Sequence, residues 1–547
     1  YLKVQCVPFN NIPFNFSLVN HNPPIADLLD CIDSSERTHE LFARLIKNNT
    51  EQRGILYTSK ADIVGFKNPE ELAEKYNNVL YHRHQYARIE IFKNHFYIKE
   101  YDENVYEIIY KLKKYAESGI KNYTHSVDLW MKNSGLIIDC DEKKNALRNL
   151  FKNSKVAFIY GAAGTGKSTM INYISSLFKD KQKIFLANTN PAVENLRRKV
   201  TAEHAEFVTI TKFLSKDVSN DCDILCLDEC STISNRDMVR VLQRAQCKLL
   251  VLVGDIYQIE SILFGNWFNI AYKVMPKDSV AELTRPHRTT VQGLIEVWNK
   301  VREITEDRLE FITRNGLSST LDESIFSRTE EDEIVLCLNY DGIYGINNIN
   351  KFLQSNNVNP SINWGVLSYK VGDPVLFNES NRFAPLVYNN LKGKILQIEE
   401  EEDCIYFTIE VYTVLNELDV IGFDLELKES VTDETSVIRF KVGRGGDGND
   451  DNDNVENVVP FQVAYAISIH KAQGLEYESV KVVITSEIEE MVSHNIFYTA
   501  ITRAKSKLKI YWSPETEKRI LENMKVQFND KDYQLFKAKY KEALLKS

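Results

Sequence analysis

Gly161-Ala162-Ala163-Gly164-Thr165-Gly166-Lys167-Ser168 decides how this chain is read. The apolar run Val156-Ala157-Phe158-Ile159-Tyr160 precedes it and predicts a buried strand, and Thr169-Met170-Ile171-Asn172-Tyr173-Ile174 follows with helical spacing. Glycines let successive backbone N–H groups turn inward onto phosphate oxygens at a helix N-terminus, where the dipole also favours negative charge. Lys167 would reach the β/γ-phosphates of a nucleotide triphosphate, and the Ser168 hydroxyl would hold Mg²⁺. Gly161, Gly164, Thr165, Gly166 and Thr169 complete the expected nucleotide cradle. A glycine-rich strand-to-helix turn without a ligand is the plain alternative, and the completeness of the motif in this setting argues against it.

Working outward, further short apolar strands are expected at Lys183 to Ala187, Ile224 to Asp228 and Lys248 to Val253. Alternation of such strands with helical stretches predicts an α/β domain over 136–290, built on a doubly wound parallel sheet with its chemistry at the carboxyl ends of the strands. A second unit of this kind is expected over 291–360 and 456–547, with strands at Glu333 to Leu338, Val480 to Thr485 and Lys507 to Trp512. Between them, 361–455 switches to period two and reads as a small β-barrel-like insertion ending in a glycine-rich acidic loop from Gly443 to Asn454. Residues 1–135 read as a separate α+β accessory unit, with a hairpin turning at Lys93-Asn94-His95 and a helix from Val105 to Ala116.

The chain has 547 residues, 43% hydrophobic and 26% charged, with a net charge of −10. That balance describes an ordinary multidomain globular protein without a coat of positive potential, so any nucleic-acid site must be a local groove. No apolar run reaches the length of a membrane span and the N-terminus lacks a signal pattern, from which a cytoplasmic protein is expected. The nine cysteines lack paired CxxC spacing and read as reduced thiols. Cys222, Cys226 and Cys230 recur every four residues, a spacing that on a strand places them on one side.

Ile224-Leu225-Cys226-Leu227-Asp228-Glu229 is a strand ending in two carboxylates. Asp228 would organise Mg²⁺, and Glu229 would orient and deprotonate the attacking water. The next strand ends Gly254-Asp255-Ile256-Tyr257-Gln258, placing the Gln258 carboxamide at the same rim. Arg288, in Leu283 to Arg288, and Arg503, in Tyr498 to Arg503, could spread the charge of a transferring phosphoryl group. Surface salt bridges are the commoner fate of arginine.

The ordered set resembles the superfamily 1B helicases, the group of RecD and Dda. It comprises Gly161 to Ser168, Ala187 to Asn190, Thr209 to Lys212, Asp228-Glu229, Gly254 to Gln258, Leu283 to Arg288, Ser468-Ile469-His470-Lys471-Ala472-Gln473-Gly474 and Tyr498 to Arg503. The resemblance covers about 140–547 and implies two RecA-like domains that hydrolyse ATP with Mg²⁺ in the cleft between them. It implies Arg288 and Arg503 acting from the facing side of that cleft and adds Gly474 to the nucleotide-binding residues. It further implies translocation on single-stranded DNA in the 5′-to-3′ direction, with RNA an open alternative, and an SH3-like character for the insertion. Thr189, Asn190, Thr211, Ser468, His470 and Lys471 fall in the strand-contacting motifs. As lone residues, such Ser, Thr and Asn positions equally suit caps and turns.

Three features depart from the family pattern. Lys143 stands where a glutamine usually reads adenine. Ile259-Glu260-Ser261-Ile262 replaces the usual continuation after Gln258. Only Ser215 to Cys222 separates Phe213-Leu214 from the strand ending at Asp228, too little for a long wedge hairpin. The missing hairpin leaves a regulatory ATPase switch without strand separation as the rival reading. The N-terminal unit is then the part available to act as a wedge or to meet a protein partner.

Overall fold

Val156–Gly161 is buried along its whole length, as expected of a strand whose helical crossovers cover both faces of its sheet. In the structure, a computed structural model, residues 37–545 are described apart from 52, 216–218, 259–263, 286–288, 366, 379–381, 385, 431, 444–456 and 525–529. Arg288, Ile259 to Ile262 and nearly all of the acidic loop therefore lie outside the described residues. The chain forms two units, one of residues 1–188, 196–287 and 526–547, the other of 189–195 and 288–525.

Unit 1 begins with a small antiparallel sheet of β1 (Thr58–Ser59), β2 (Ile89–Phe92) and β3 (His95–Ile98). Lys93 and Asn94 both take positive φ, 47° and 62°, which closes β2 onto β3 through a two-residue turn. Helix α1 (Lys99–Ala116) follows, then α2 (Asp141–Asn149), β4 (Val156–Gly161), α3 (Lys167–Leu177), β5 (Lys183–Ala187), β6 (Ala205–Thr209), β7 (Asp221–Leu227), β8 (Gln246–Gly254) and β9 (Val280–Leu283). These last six strands form one parallel sheet in the order β6-β5-β7-β8-β4-β9, so β4, β8 and β7 are neighbours.

Two boundaries differ from the sequence reading. The accessory region is not a separate body, because Val105, Ile108, Ile109 and Leu112 of α1 share one core with Phe158, Leu225 and Leu252 of the parallel sheet. The C-terminal helix Asp530–Leu545 belongs to unit 1 rather than to the second sheet domain. Its Phe536 is fully buried in the same core. Its Asp532 accepts from the amides of Leu56 and Tyr57 at 2.7 and 3.0 Å. Asp102, 1% exposed, accepts from Lys539 Nζ at 2.6 Å and from the hydroxyls of Tyr57 and Tyr540. Apart from the Tyr57–Asp102 bond, these contacts join residues more than 400 positions apart, and no local pattern signals them.

The cysteine alternation also differs. Cys222 joins the core on one face of the sheet and Cys226 the core on the other. Between them the amides of Asp223 and Ile224 both donate to the carbonyl of Gln182, at 3.0 and 3.1 Å, and this bulge shifts the phase of the strand.

Unit 2 contains a five-stranded parallel sheet and a six-stranded antiparallel one. The parallel sheet runs β10 (Ser318–Ser319), β22 (Ala504–Tyr511), β21 (Tyr477–Val483), β11 (Glu333–Cys337), β20 (Ala466–Ser468). The antiparallel sheet runs β17 (Glu426–Lys428), β18 (Ser436–Gly443), β16 (Cys404–Val411), β15 (Lys392–Glu400), β14 (Pro374–Phe377), β19 (Phe461–Val463). A short hairpin of β12 (Ser361–Trp364) and β13 (Leu367–Lys370) precedes it. The antiparallel sheet thus draws its last strand from beyond residue 455, where the sequence reading had closed the insertion. Among the described residues no helix is long and apolar enough to cross a membrane.

Candidate functional site

The phosphate loop leaves β4 at Gly161 and enters α3 at Lys167, with Gly166 as the cap at φ 87°. A Cβ on Gly161 would lie 2.5 Å from Thr165 Oγ1, and one on Gly166 would lie 2.6 Å from Lys143 Nζ, so both positions require glycine. Buried Thr165 donates to the carbonyl of Ala162 at 3.0 Å and tightens the turn. Lys167 Nζ donates to the carbonyls of Gly161 and Ala162 at 2.8 and 3.0 Å, which holds the ammonium against the loop. Gly164 takes φ 77°, while Ser168 and Thr169 open α3 partly exposed.

Asp228 and Glu229 follow the end of β7, beside β8 and one strand from β4. Burial among protein atoms pushes the Asp228 carboxyl above its usual range, opposed by the Glu229 amide at 2.8 Å and by the charge of Lys167. Because β7, β8 and β4 are parallel neighbours, their carboxyl ends lie at one rim. Glu229 sits at φ 52°, a left-handed conformation that is strained for a residue with a side chain. Its carbonyl accepts from the amide and hydroxyl of Thr232, both at 2.8 Å, which fixes the turn.

After β8, Asp255 is 1% exposed and accepts from the Tyr257 amide through Oδ1 at 3.1 Å. Its Oδ2 is buried with no hydrogen-bond partner among the described residues. Gln258, partly exposed, is held by its amide to the carbonyl of Asp255 at 3.2 Å. Ser168, Asp228 and the unpartnered oxygen of Asp255 are hard oxygen donors of the kind that suit Mg²⁺, which keeps waters and phosphate oxygens in its shell. No cluster of three or more His, Cys, Asp or Glu forms a cage of its own among the described residues.

Two contributors were not singled out from sequence. Asp255 stands inside the quoted Gly254-to-Gln258 stretch, and the carboxylate beside Gly254 was the available signal. Glu142 accepts from the Thr284 amide and hydroxyl at 3.1 and 2.9 Å, tying the first turn of α2 to the segment after β9. Nothing in its spacing gives that away. Lys143 is buried, pairs with Asp139 at 2.5 Å and lies against Gly166.

The remaining site residues sit as follows. Thr211 is exposed on the helix Ile210–Leu214. Six residues separate the end of that helix at Leu214 from the start of β7 at Asp221, and of these the described residues 215, 219 and 220 form no strand. Thr189 Oγ1 accepts from the Ala192 amide at 3.4 Å, capping the helix Asn190–Lys199 that Asn190 opens. In unit 2, Ser468 is buried and accepts from the Lys471 amide at 3.2 Å, Lys471 Nζ donates to Gln462 at 2.9 Å, and His470 is exposed. Gly474, at φ 74°, accepts from Asn195 Nδ2. Arg503 follows α4 (His494–Ile501), is 4% exposed, and donates to the carbonyls of Thr499 and Leu475 at 3.0 and 3.3 Å and to Thr502 Oγ1 at 3.4 Å.

A family model described as an AAA domain matches residues 140–322, and one described as a UvrD-like helicase C-terminal domain matches 463–511. An uncharacterized protein of Methanocaldococcus jannaschii is 24% identical over 448 residues, covering 67% of this chain but only 37% of that protein. The RecBCD enzyme subunit RecD of Buchnera aphidicola subsp. Schizaphis graminum is 23% identical over 503 residues, covering 71% of this chain and 78% of its own. The ATP-dependent DNA helicase Pif1 of Campylobacter jejuni is 23% identical over 438 residues, covering 65% and 88%.

Proposed function

We propose that the chain belongs with the superfamily 1B, RecD- and Pif1-like P-loop helicases, to whose members it is similar, and that it is an ATP-driven motor that moves 5′-to-3′ on single-stranded DNA. One observation carries the reading. The phosphate loop, the Asp228-Glu229 pair and the Asp255-to-Gln258 turn leave the carboxyl ends of three adjacent parallel strands, β4, β7 and β8.

In this proposal the loop amides and Lys167 bind the β- and γ-phosphates. Bound at Ser168 and Asp228, Mg²⁺ supplies charge neutralisation at the phosphate oxygens. Glu229 orients the attacking water and takes its proton, and the fixed turn around it spares reorganisation at that moment. Gln258 contacts water and γ-phosphate and so distinguishes the triphosphate from the diphosphate. Arg288 and Arg503 spread the charge of the transferring group, while Gly474 lines the nucleotide. Thr189, Asn190, Thr211, Ser468, His470 and Lys471 hold the strand through phosphate contacts that do not depend on sequence.

A second reading, a strand-stimulated ATPase switch that separates no duplex, is favoured by the absence of any strand among the described residues between Leu214 and Asp221. Hydrolysis and fork opening, measured together on DNA forks with a 5′ or a 3′ tail and on matched RNA, test both. Stimulated hydrolysis with opening of the 5′-tailed DNA fork supports the motor. Stimulation without opening supports the switch, and preferential stimulation by RNA moves the substrate to RNA.

A further inference from the structure

At the opposite end of the unit 1 sheet from the phosphate loop lies a cavity of about 550 Å³. Its position follows from the starts of β4, β7 and β8, the same strands whose far ends carry the nucleotide chemistry. The walls are largely apolar, with Tyr115 and Phe178 lining the space beside Ile224 and Leu249. Tyr115 is fixed in place because its hydroxyl meets both the carbonyl oxygen and the sulfur of Cys247 at 3.3 Å.

The rim has the opposite character. Lys114, Lys155, Lys181 and Lys248 surround it, against one carboxylate, Asp223. That carboxylate is already engaged by Lys248 at 2.7 Å. Lys114, Lys155 and Lys181 have no carboxylate within ion-pair distance among the described residues, although the chain as a whole carries a net charge of −10. Such a concentration of ammonium groups around an apolar hollow is relieved by a ligand that is negative at one end and apolar at the other. The volume falls within the range of small-molecule sites, roughly 300–1,000 Å³, whose walls are apolar and whose few charged groups orient the ligand. The two aromatic side chains in the lining, Tyr115 and Phe178, favour contact with an aromatic body over a flexible chain.

We propose that this cavity binds a small planar aromatic anion, a ring system bearing a carboxylate, sulfonate or phosphate. Binding there would bear on the strands that position Lys167, Asp228 and Asp255 at their other ends.

The test titrates the full chain with the fluorescent probe 1-anilinonaphthalene-8-sulfonate. One saturable site is expected, weakened about tenfold by the pair Lys155→Glu and Lys181→Glu and by salt near 1 M, where the Debye length is about 3 Å. Phe178→Leu should weaken it further while leaving strand-stimulated hydrolysis within about twofold, since all three residues lie away from the nucleotide rim. Unsaturable fluorescence, or an affinity indifferent to charge reversal and to salt, overturns the proposal. Competition separates the chemistries. Displacement by 1-naphthyl phosphate but not by dodecanoate supports a planar ligand, and equal displacement by dodecanoate overturns it. Displacement by ATP that is lost in Lys167→Ala would place the probe at the phosphate loop and equally overturn the proposal.

Discussion

Asp102→Asn should loosen the C-terminal helix from unit 1 without disturbing unit 2. In the native chain this carboxylate is 1% exposed and gathers Lys539 Nζ at 2.6 Å with the hydroxyls of Tyr57 and Tyr540. An asparagine keeps one acceptor but leaves the ammonium of Lys539, whose side chain is 19% exposed, without its counter-charge. Breaking a fully buried pair costs about 3–5 kcal/mol, and the partial exposure of Lys539 brings the expectation to about 2–3 kcal/mol. Tyr540→Phe, which removes one neutral donor, should cost about 1 kcal/mol. The assay is native-state hydrogen exchange, read at the amides of 530–545 and at Leu56 and Tyr57, which donate to Asp532. Exchange there should accelerate roughly 30- to 150-fold in Asp102→Asn, at tenfold per 1.4 kcal/mol, while amides of β21 and β22 keep their native rates. Unchanged exchange in 530–545, or equal acceleration in β21 and β22, would refute the claim that the chain's last helix is held by this buried carboxylate.

Other outcomes follow from the nucleotide site. Glu229→Gln should retain ATP binding while turnover falls by about 10²- to 10⁴-fold, measured by nucleotide filter binding beside phosphate release. Gly166→Ala places a Cβ 2.6 Å from Lys143 Nζ at φ 87°, so ATP affinity should fall. Adding Lys143→Ala should restore only part of it, because about 1–2 kcal/mol of left-handed strain persists. Arg503→Lys should lower turnover by about 10³-fold or more with ATP binding retained, whereas a purely structural arginine would lower thermal stability and leave turnover per folded molecule intact. The Ser324 hydroxyl and amide hold the Asp322 carboxyl below its usual range. That stabilisation is complete above the unfolded value of about 3.9 and is lost as pH falls through the lower folded value, so Asp322→Asn should remove the corresponding step from an acid titration of unit 2 unfolding.

Legibility in the sequence tracked the range of the interactions. The phosphate loop is readable because its glycines and Lys167 act within one short motif, and the hairpin because Lys93 and Asn94 set its turn, although His95, read as part of that turn, begins β3. Parallel strands were readable for a similar reason: burial on both faces leaves a continuous apolar run such as Val156 to Tyr160. What escaped depends on partners far along the chain. Asp102 and Lys539 carry no mark of one another, so the last helix was placed with the second sheet. The bulge at Asp223 comes from a shared carbonyl on β5's approach, and it sends Cys222 and Cys226 to opposite faces despite their regular spacing. Asp255 lay in plain view, but only burial shows that one of its oxygens lacks a partner.

The most direct measurement is ATP hydrolysis by the full chain with and without a saturating single-stranded DNA oligonucleotide, run beside Lys167→Ala. The account predicts a rate raised at least about tenfold by the strand, with both basal and stimulated turnover lost in the variant. Turnover indifferent to the strand, or surviving in Lys167→Ala, would contradict it.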